Sequence, residues 1–214
     1  MTGEITIRPN QADIELIKAD LRHINNGMPT AVVRSINRAV DGVKTDMVAI
    51  ARSTYTAKAT AARKNITVAK ASTGRIVAYT QSKGEPIGLI NFTVRPSTVN
   101  PKRKASITVE VIKGKPKPLA HGFVAVMPSG HKAVFKRPKG KWSQPGGSGT
   151  PWTKTGNSGR AGRLPMHELS GPRTEDLYAK PENQKKLQDG ADKRLTAELK
   201  RQADYLFKQR NGLL

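Results

Sequence analysis

Apolar residues keep helical spacing at both ends of this chain and switch to period two in between, and that switch constrains the fold more than anything else in it. After Asn10, an N-cap residue type with Asp13 three positions on, Ile14, Ile17, Leu21 and Ile24 mark a first helix that Asn25-Asn26-Gly27 should end. Pro29 suits the first turn of a second helix. Its stripe is Val32, Ile36, Ala39, Val40, Val43, Met47 and Ile50, with Arg34, Arg38, Lys44 and Arg52 on the opposite face. Residues 55–70 read as a third, shorter helix, capped by Thr56 or Thr60. At the far end, Leu187, Ala191, Leu195, Leu199, Ala203 and Leu206 predict one long helix over 181–209.

From Ser72 onward the pattern alternates. Residues 3–9, 75–81, 88–94 and 105–112 read as strands, with 96–104 and 113–118 as loops. Residues 123–137 alternate on both sides of Pro128-Ser129-Gly130 and predict a β-hairpin. Residues 164–172 form a short extended segment closed by Gly171-Pro172. The expected fold is α+β, a single domain over 1–214. It places mainly helical residues at 1–70 and one central antiparallel sheet of four or five strands at 72–137. A projecting Gly/Lys-rich flexible loop follows at 138–163, then the extended segment and C-terminal helix at 164–214.

Several function classes drop out. There is no cysteine, so disulfides, iron–sulfur clusters and thiolate zinc sites are excluded. No apolar run is long enough to span a bilayer, and MTGEITIRPN has neither the basic nor the apolar region of a secretory signal. The histidines His23, His121, His131 and His167 show no paired metal spacing, and no nucleophile elbow or phosphate-binding loop occurs. The run Pro145-Gly146-Gly147-Ser148-Gly149 lacks the flanking strand and helix that cradle a phosphate. The basic middle offers no acid cluster for catalytic magnesium, which argues against a nuclease. The expectation is no enzyme, no catalytic or metal residues and no cofactor.

Charge points elsewhere. The net charge is +22, and residues 57–163 carry 21 Lys/Arg against only Glu85 and Glu110. Such a field attracts polyanions, either nucleic acid or the acidic face of a protein. Lys102, Arg103, Lys104, Lys113, Lys115 and Lys117 are the candidate contacts, two loop clusters that a simple meander would bring to one end of the sheet. Their spacing offers no helix for base readout. Trp142 and Trp152, in the Gly-rich stretch, are candidate subunit-interface anchors, with base stacking as the alternative. Asn37 and Arg38 are candidate interface contacts, with solvation or local capping as the alternative.

The segment GFVAVMPSGHKAVFKR, followed after the Gly-rich stretch by RLPMHELSGP, resembles the minor tail protein Z family of tailed bacteriophages and prophages. Ser35-Ile36-Asn37-Arg38-Ala39 is similar to an element that the family carries early in its sequence. The resemblance runs from that element to Glu168-Leu169-Ser170-Gly171-Pro172. It implies a structural role at the head-proximal end of the tail, in tail completion and head–tail joining. It also implies a neck ring around the DNA channel, of six subunits by analogy. The partners implied are further copies of the chain, neighbouring tail and head–tail connector proteins and, as a further candidate, genomic DNA, with no membrane. The implied location is the virion, after assembly in the host cytoplasm. The rival reading is a free-standing, sequence-independent nucleic-acid-binding protein, which would want more stacking aromatics than Tyr79 and Phe92 on the strands.

Overall fold

The computed structural model describes residues 4–9, 27–100, 105–137 and 166–210. The helix expected after Asn10 and the loop at 138–163, with Trp142 and Trp152, lie outside the described residues, as do His23 and Lys102, Arg103 and Lys104. Gly27, read as a helix terminator, is instead the first residue of the next helix. The chain builds two compact units. The first comprises Met1–Thr54, Lys58–Glu85 and Arg173–Leu214, and the second Tyr55–Ala57 and Pro86–Pro172.

The first unit is organised by two long helices, α1 (Gly27–Thr54) and α4 (Pro181–Arg210). The expected stripes are the faces that meet. Val32, Ile36, Val40, Val43 and Met47 are buried on α1, and Leu187, Ala191, Leu195, Leu199 and Ala203 on α4. Each fully buried leucine among them contributes roughly 2 kcal/mol. Arg38 pairs with Glu198 at 3.1 Å, and Arg194 binds the Asp46 carboxylate through both terminal nitrogens, so the helices run antiparallel. The Asp46 carboxylate raises the Arg194 pKa further and holds its charge.

Three strands complete this unit: β1 (Glu4–Ile7), β2 (Ile66–Ala69) and β3 (Ala78–Ser82), in the order β1-β3-β2 and all antiparallel. The register puts Ile5 opposite Thr80, Ile7 opposite Ala78 and Ile66 opposite Ser82, so these buried residues share one face. The third helix is shorter than its sequence implies: α2 covers only Ala59–Lys64, and the chain turns at Asn65 into β2. Ile66, Thr67 and Val68 are all β-branched, and pairing with β3 outweighs the weak helix propensity of such a run. Neither Thr56 nor Thr60 caps α2; Lys58 holds the N-cap position without a side-chain bond. A short helix α3 (Glu175–Tyr178) precedes α4 and buries Leu177 and Tyr178.

The second unit holds two further three-stranded antiparallel sheets. One is β4 (Thr93–Arg95), β5 (Ile107–Glu110) and β6 (Pro116–Leu119); the other is β7 (Gly122–Val126), β8 (Lys132–Lys136) and β9 (His167–Glu168). Helices and antiparallel strands confirm the α+β class, but the single central sheet is corrected to three sheets among the described residues. No edge strand of one sheet pairs with a strand of another there, and Pro116 and Pro118 remove two of the donors that β6 would need to do so. The strand expected at 88–94 is likewise divided, into a 3-10 turn at Leu89–Asn91 and then β4.

The predicted hairpin is present. Met127 N–H donates to His131 O at 2.8 Å and Gly130 N–H to Met127 O at 2.9 Å, closing a three-residue loop with Gly130 at φ +80°. Only glycine takes that left-handed value without cost. The extended segment before α3 lies along β8 and the 87–89 stretch. Leu169 N–H bonds Val134 O, Leu89 N–H bonds Leu169 O, and Gly171 N–H bonds Ile87 O at 2.7 Å. A Cβ on Gly171 would stand 2.6 Å from the Phe92 ring, so the close approach requires glycine there.

Candidate polyanion interface

The basic surface is built on the β5–β6 hairpin. Residues 113–118, expected to be a loop, are a turn leading into strand β6, a correction to the sequence reading. Pro116 and Pro118 made this stretch look unlike a strand, yet β6 is an edge strand, the one place a sheet tolerates proline. Prolines at alternate positions put both missing donors on the same edge and leave the other complete for pairing with β5. Lys117 stands opposite Val109 on β6, while Lys113 and Lys115 sit in the turn; all three are exposed. Gly114, at φ +75°, donates its N–H to the Glu110 carboxylate at 2.7 Å, and Lys115 N–H bonds Ile112 O at 3.1 Å. The turn that carries the lysines is therefore held from within by the acid nearest to them.

The other basic cluster, Lys102, Arg103 and Lys104, lies outside the described residues.

Most cations of both units have no acid partner among the described residues, and acidic side chains engage only four in the first. In the first, Arg38 and Arg201 share Glu198, Arg194 binds Asp46, and Lys70 meets Asp41 at 3.0 Å. In the second, Arg95, Lys113, Lys115, Lys117, Lys132, Lys136 and Arg137 have no acid partner among the described residues. The acids that could serve them are engaged: Glu110 by Gly114, and Glu168 by His131 Nε2 at 2.9 Å. Arg137 lies over the Phe123 ring at 5.4 Å. An array of unpaired, exposed cations on short strands attracts multivalent anions without reading a sequence.

The other candidates are placed as follows. Asn37 brackets the backbone of Ala71, accepting its N–H at 2.8 Å and donating to its carbonyl at 3.1 Å. Arg38 is largely exposed beyond its pair with Glu198. His121 adopts φ +60° in the tight connection from β6 to β7. One residue that sequence reasoning assigned elsewhere proves central to the basic sheet. The Thr56 hydroxyl accepts Thr93 N–H at 3.1 Å and donates to the Glu110 carbonyl, bridging β4 and β5 where their ladder is open. No sequence pattern flags it, because its partners lie 37 and 54 residues away. Among the described residues no group of three or more His, Asp or Glu could hold a metal ion, and no helix is long and apolar enough to cross a membrane.

These features define a basic α+β protein whose second unit presents unpaired cations and whose described residues hold no metal-binding cluster. The family model for prophage minor tail protein Z (GPZ) matches residues 15–209, and the chain belongs to that family. It is accordingly a phage minor tail protein, with a structural role. The match reaches past Gly171-Pro172 to take in nearly all of α4, further than the sequence motifs alone extend. No curated protein and no solved structure matches the chain.

Proposed function

We propose that this protein completes the head-proximal end of the phage tail, as a ring of six copies around the DNA channel, and that its second unit meets a polyanion there. Membership of the minor tail protein Z family supports a structural place in the virion. The observation that carries the polyanion contact is the set of exposed cations in the second unit that lack acid partners, centred on Lys113, Lys115 and Lys117. Its partners are further copies of the chain, neighbouring tail and connector proteins and the genome in the channel. Assembly takes place in the host cytoplasm. Trp142 and Trp152 are proposed as interface anchors, and Lys102, Arg103 and Lys104 as a second group of contacts.

The test is the triple variant Lys113→Ala, Lys115→Ala and Lys117→Ala, measured for DNA affinity against salt and for complementation of tail-defective particles. With DNA as the partner, binding is independent of sequence. The slope of log K against log salt then shrinks by up to about 2.7, at about 0.9 for each phosphate no longer neutralised. With an acidic protein as the partner, DNA affinity is unchanged and head–tail joining fails. Normal behaviour in both assays rejects the polyanion contact. DNA binding without any incorporation into particles favours the free-standing nucleic-acid-binding reading. Folding is unaffected in each case, because exposed lysines contribute little to stability.

A further inference from the structure

The β5–β6 hairpin carries its cations in an ordered way. Lys115-Pro116-Lys117-Pro118 leads out of the turn, and every residue from Ile112 to Pro118 is exposed. Proline disfavours the helical region for the residue before it, so Pro116 keeps Lys115 extended and Pro118 does the same for Lys117. Two residues of extended chain cover about 6.6 Å, and side chains two apart leave the same side of a strand. Lys115 and Lys117 therefore lie on one side, at a spacing close to that of neighbouring phosphates on a nucleic-acid strand. Lys113 extends the row into the turn, which is held by Gly114 N–H on the Glu110 carboxylate and by Lys115 N–H on Ile112 O.

What the edge lacks narrows the partner. The two prolines share the edge of β6 that faces away from β5, and neither has an N–H. A segment of an acidic protein adding to β6 as a further strand would find no donors at those positions. A nucleic-acid backbone makes no such demand. Its phosphates only accept hydrogen bonds, an ammonium group only donates them, and its charges recur at a fixed interval as the lysines do.

Ile112 is the second observation. It opens the lysine turn and is 46% exposed. Its carbonyl accepts Lys115 N–H and its backbone bridges Tyr55, so its place is set. An apolar side chain among cations suits a ligand in which charge alternates with apolar surface. Sugars and base faces alternate with phosphates in that way, and apolar side chains beside lysines meet them in nucleic-acid grooves.

We propose that the β5–β6 hairpin is a nucleic-acid grip, in which Lys113, Lys115 and Lys117 take successive phosphates of one strand and Ile112 rests against a sugar or base between them. The inference rests on the polyanion contact proposed above and names its partner as nucleic acid rather than acidic protein. The backbone repeat is recognised, without readout of sequence.

The probes are oligothymidylate, a mixed-sequence duplex of the same length and polyglutamate, each added to the full-length chain. Nucleic acid is expected to bind at least tenfold more tightly than polyglutamate of equal charge, and the tighter of the two nucleic acids shows which form the hairpin fits. Lys117→Ala with Pro118→Lys keeps the net charge but moves one cation to the other side of β6, and lowers nucleic-acid affinity at least fivefold. Ile112→Ser lowers it at least threefold and leaves the salt slope unchanged, because no charge is lost. That variant changes only an exposed side chain and serves if the strand variant fails to fold. Equal affinity for polyglutamate would overturn the proposal, as would unchanged affinity in either variant. Failed head–tail joining in the triple lysine variant, with nucleic-acid affinity unchanged, would overturn this inference and leave the polyanion contact standing. Normal behaviour of the triple variant in both assays would remove the two together.

Discussion

Alkaline unfolding of the first unit is expected to run through one phenol. Tyr178 is 1% exposed on α3, and its hydroxyl has no hydrogen-bond partner among the described residues. Burial pushes its pKa from 10.0 up to about 12, and the Thr174 hydroxyl offsets part of that rise without reaching hydrogen-bond geometry. The folded value lies above the unfolded one, so between pH 10 and 12 the unfolded chain releases a proton that the folded chain keeps. The contribution to stability is complete below pH 10 and is lost as pH rises through the folded value. Two pKa units correspond to about 2.7 kcal/mol, of which about half, roughly 1.4 kcal/mol, is gone by pH 11. The perturbation is Tyr178→Phe, and the assay is urea unfolding at pH 7, 9, 10 and 11. Lysines titrate in the same range, so the quantity read is the difference between the two proteins. At pH 7 the variant is equal to the parent or more stable by up to about 1 kcal/mol, since it loses an unpaired buried hydroxyl and no bond. By pH 11 it exceeds the parent by about a further 1.4 kcal/mol. Parallel stability curves for the two proteins from pH 7 to 11 would refute the reasoning.

Two other side chains hold long-range backbone groups, and each makes a simple test. Thr56→Val keeps the shape but leaves Thr93 N–H and the Glu110 carbonyl unpaired; a loss of about 1–3 kcal/mol is expected in denaturant unfolding, with Thr56→Ser restoring most of it. Asn37→Ala removes both bonds to the buried Ala71 and should cost about 1–3 kcal/mol, whereas Arg38→Ala, at an exposed pair, should cost less than about 1 kcal/mol. Equal costs for the two would show that Asn37 does not act through the backbone of Ala71.

The long helices and the hairpin were legible because their signals are local. The stripe from Val32 to Met47 and that from Leu187 to Ala203 each repeat over several turns, and burial follows them. Ser129-Gly130 between two alternating runs leaves the chain little choice but to reverse. The errors came where long-range pairing overrode local preference. β6 looked like a loop because its prolines are poor strand formers in isolation, and only its edge position makes them acceptable. Ile66–Ala69 followed a helix in sequence and became a strand because β3 offered it an edge.

For the candidate site, the sequence by itself determined how many cations there are and how few acids accompany them, since composition needs no fold. It also determined the family motifs, whose Gly130 and Gly171 answer to a left-handed turn and a close approach to Phe92. Only the tertiary structure decided how the charge is arranged. Asp46, distant in sequence, meets Arg194 in the first unit, while in the second Glu110 is held by Gly114 four residues away and Glu168 by His131 across 37, so the lysines there have no acid partner among the described residues. Only the structure, likewise, made Pro116–Leu119 the edge strand of the basic sheet. Strand order and ion pairing join residues tens of positions apart. A one-dimensional pattern carries periodicity along the chain, and holds no record of which distant group fills a given edge or meets a given charge.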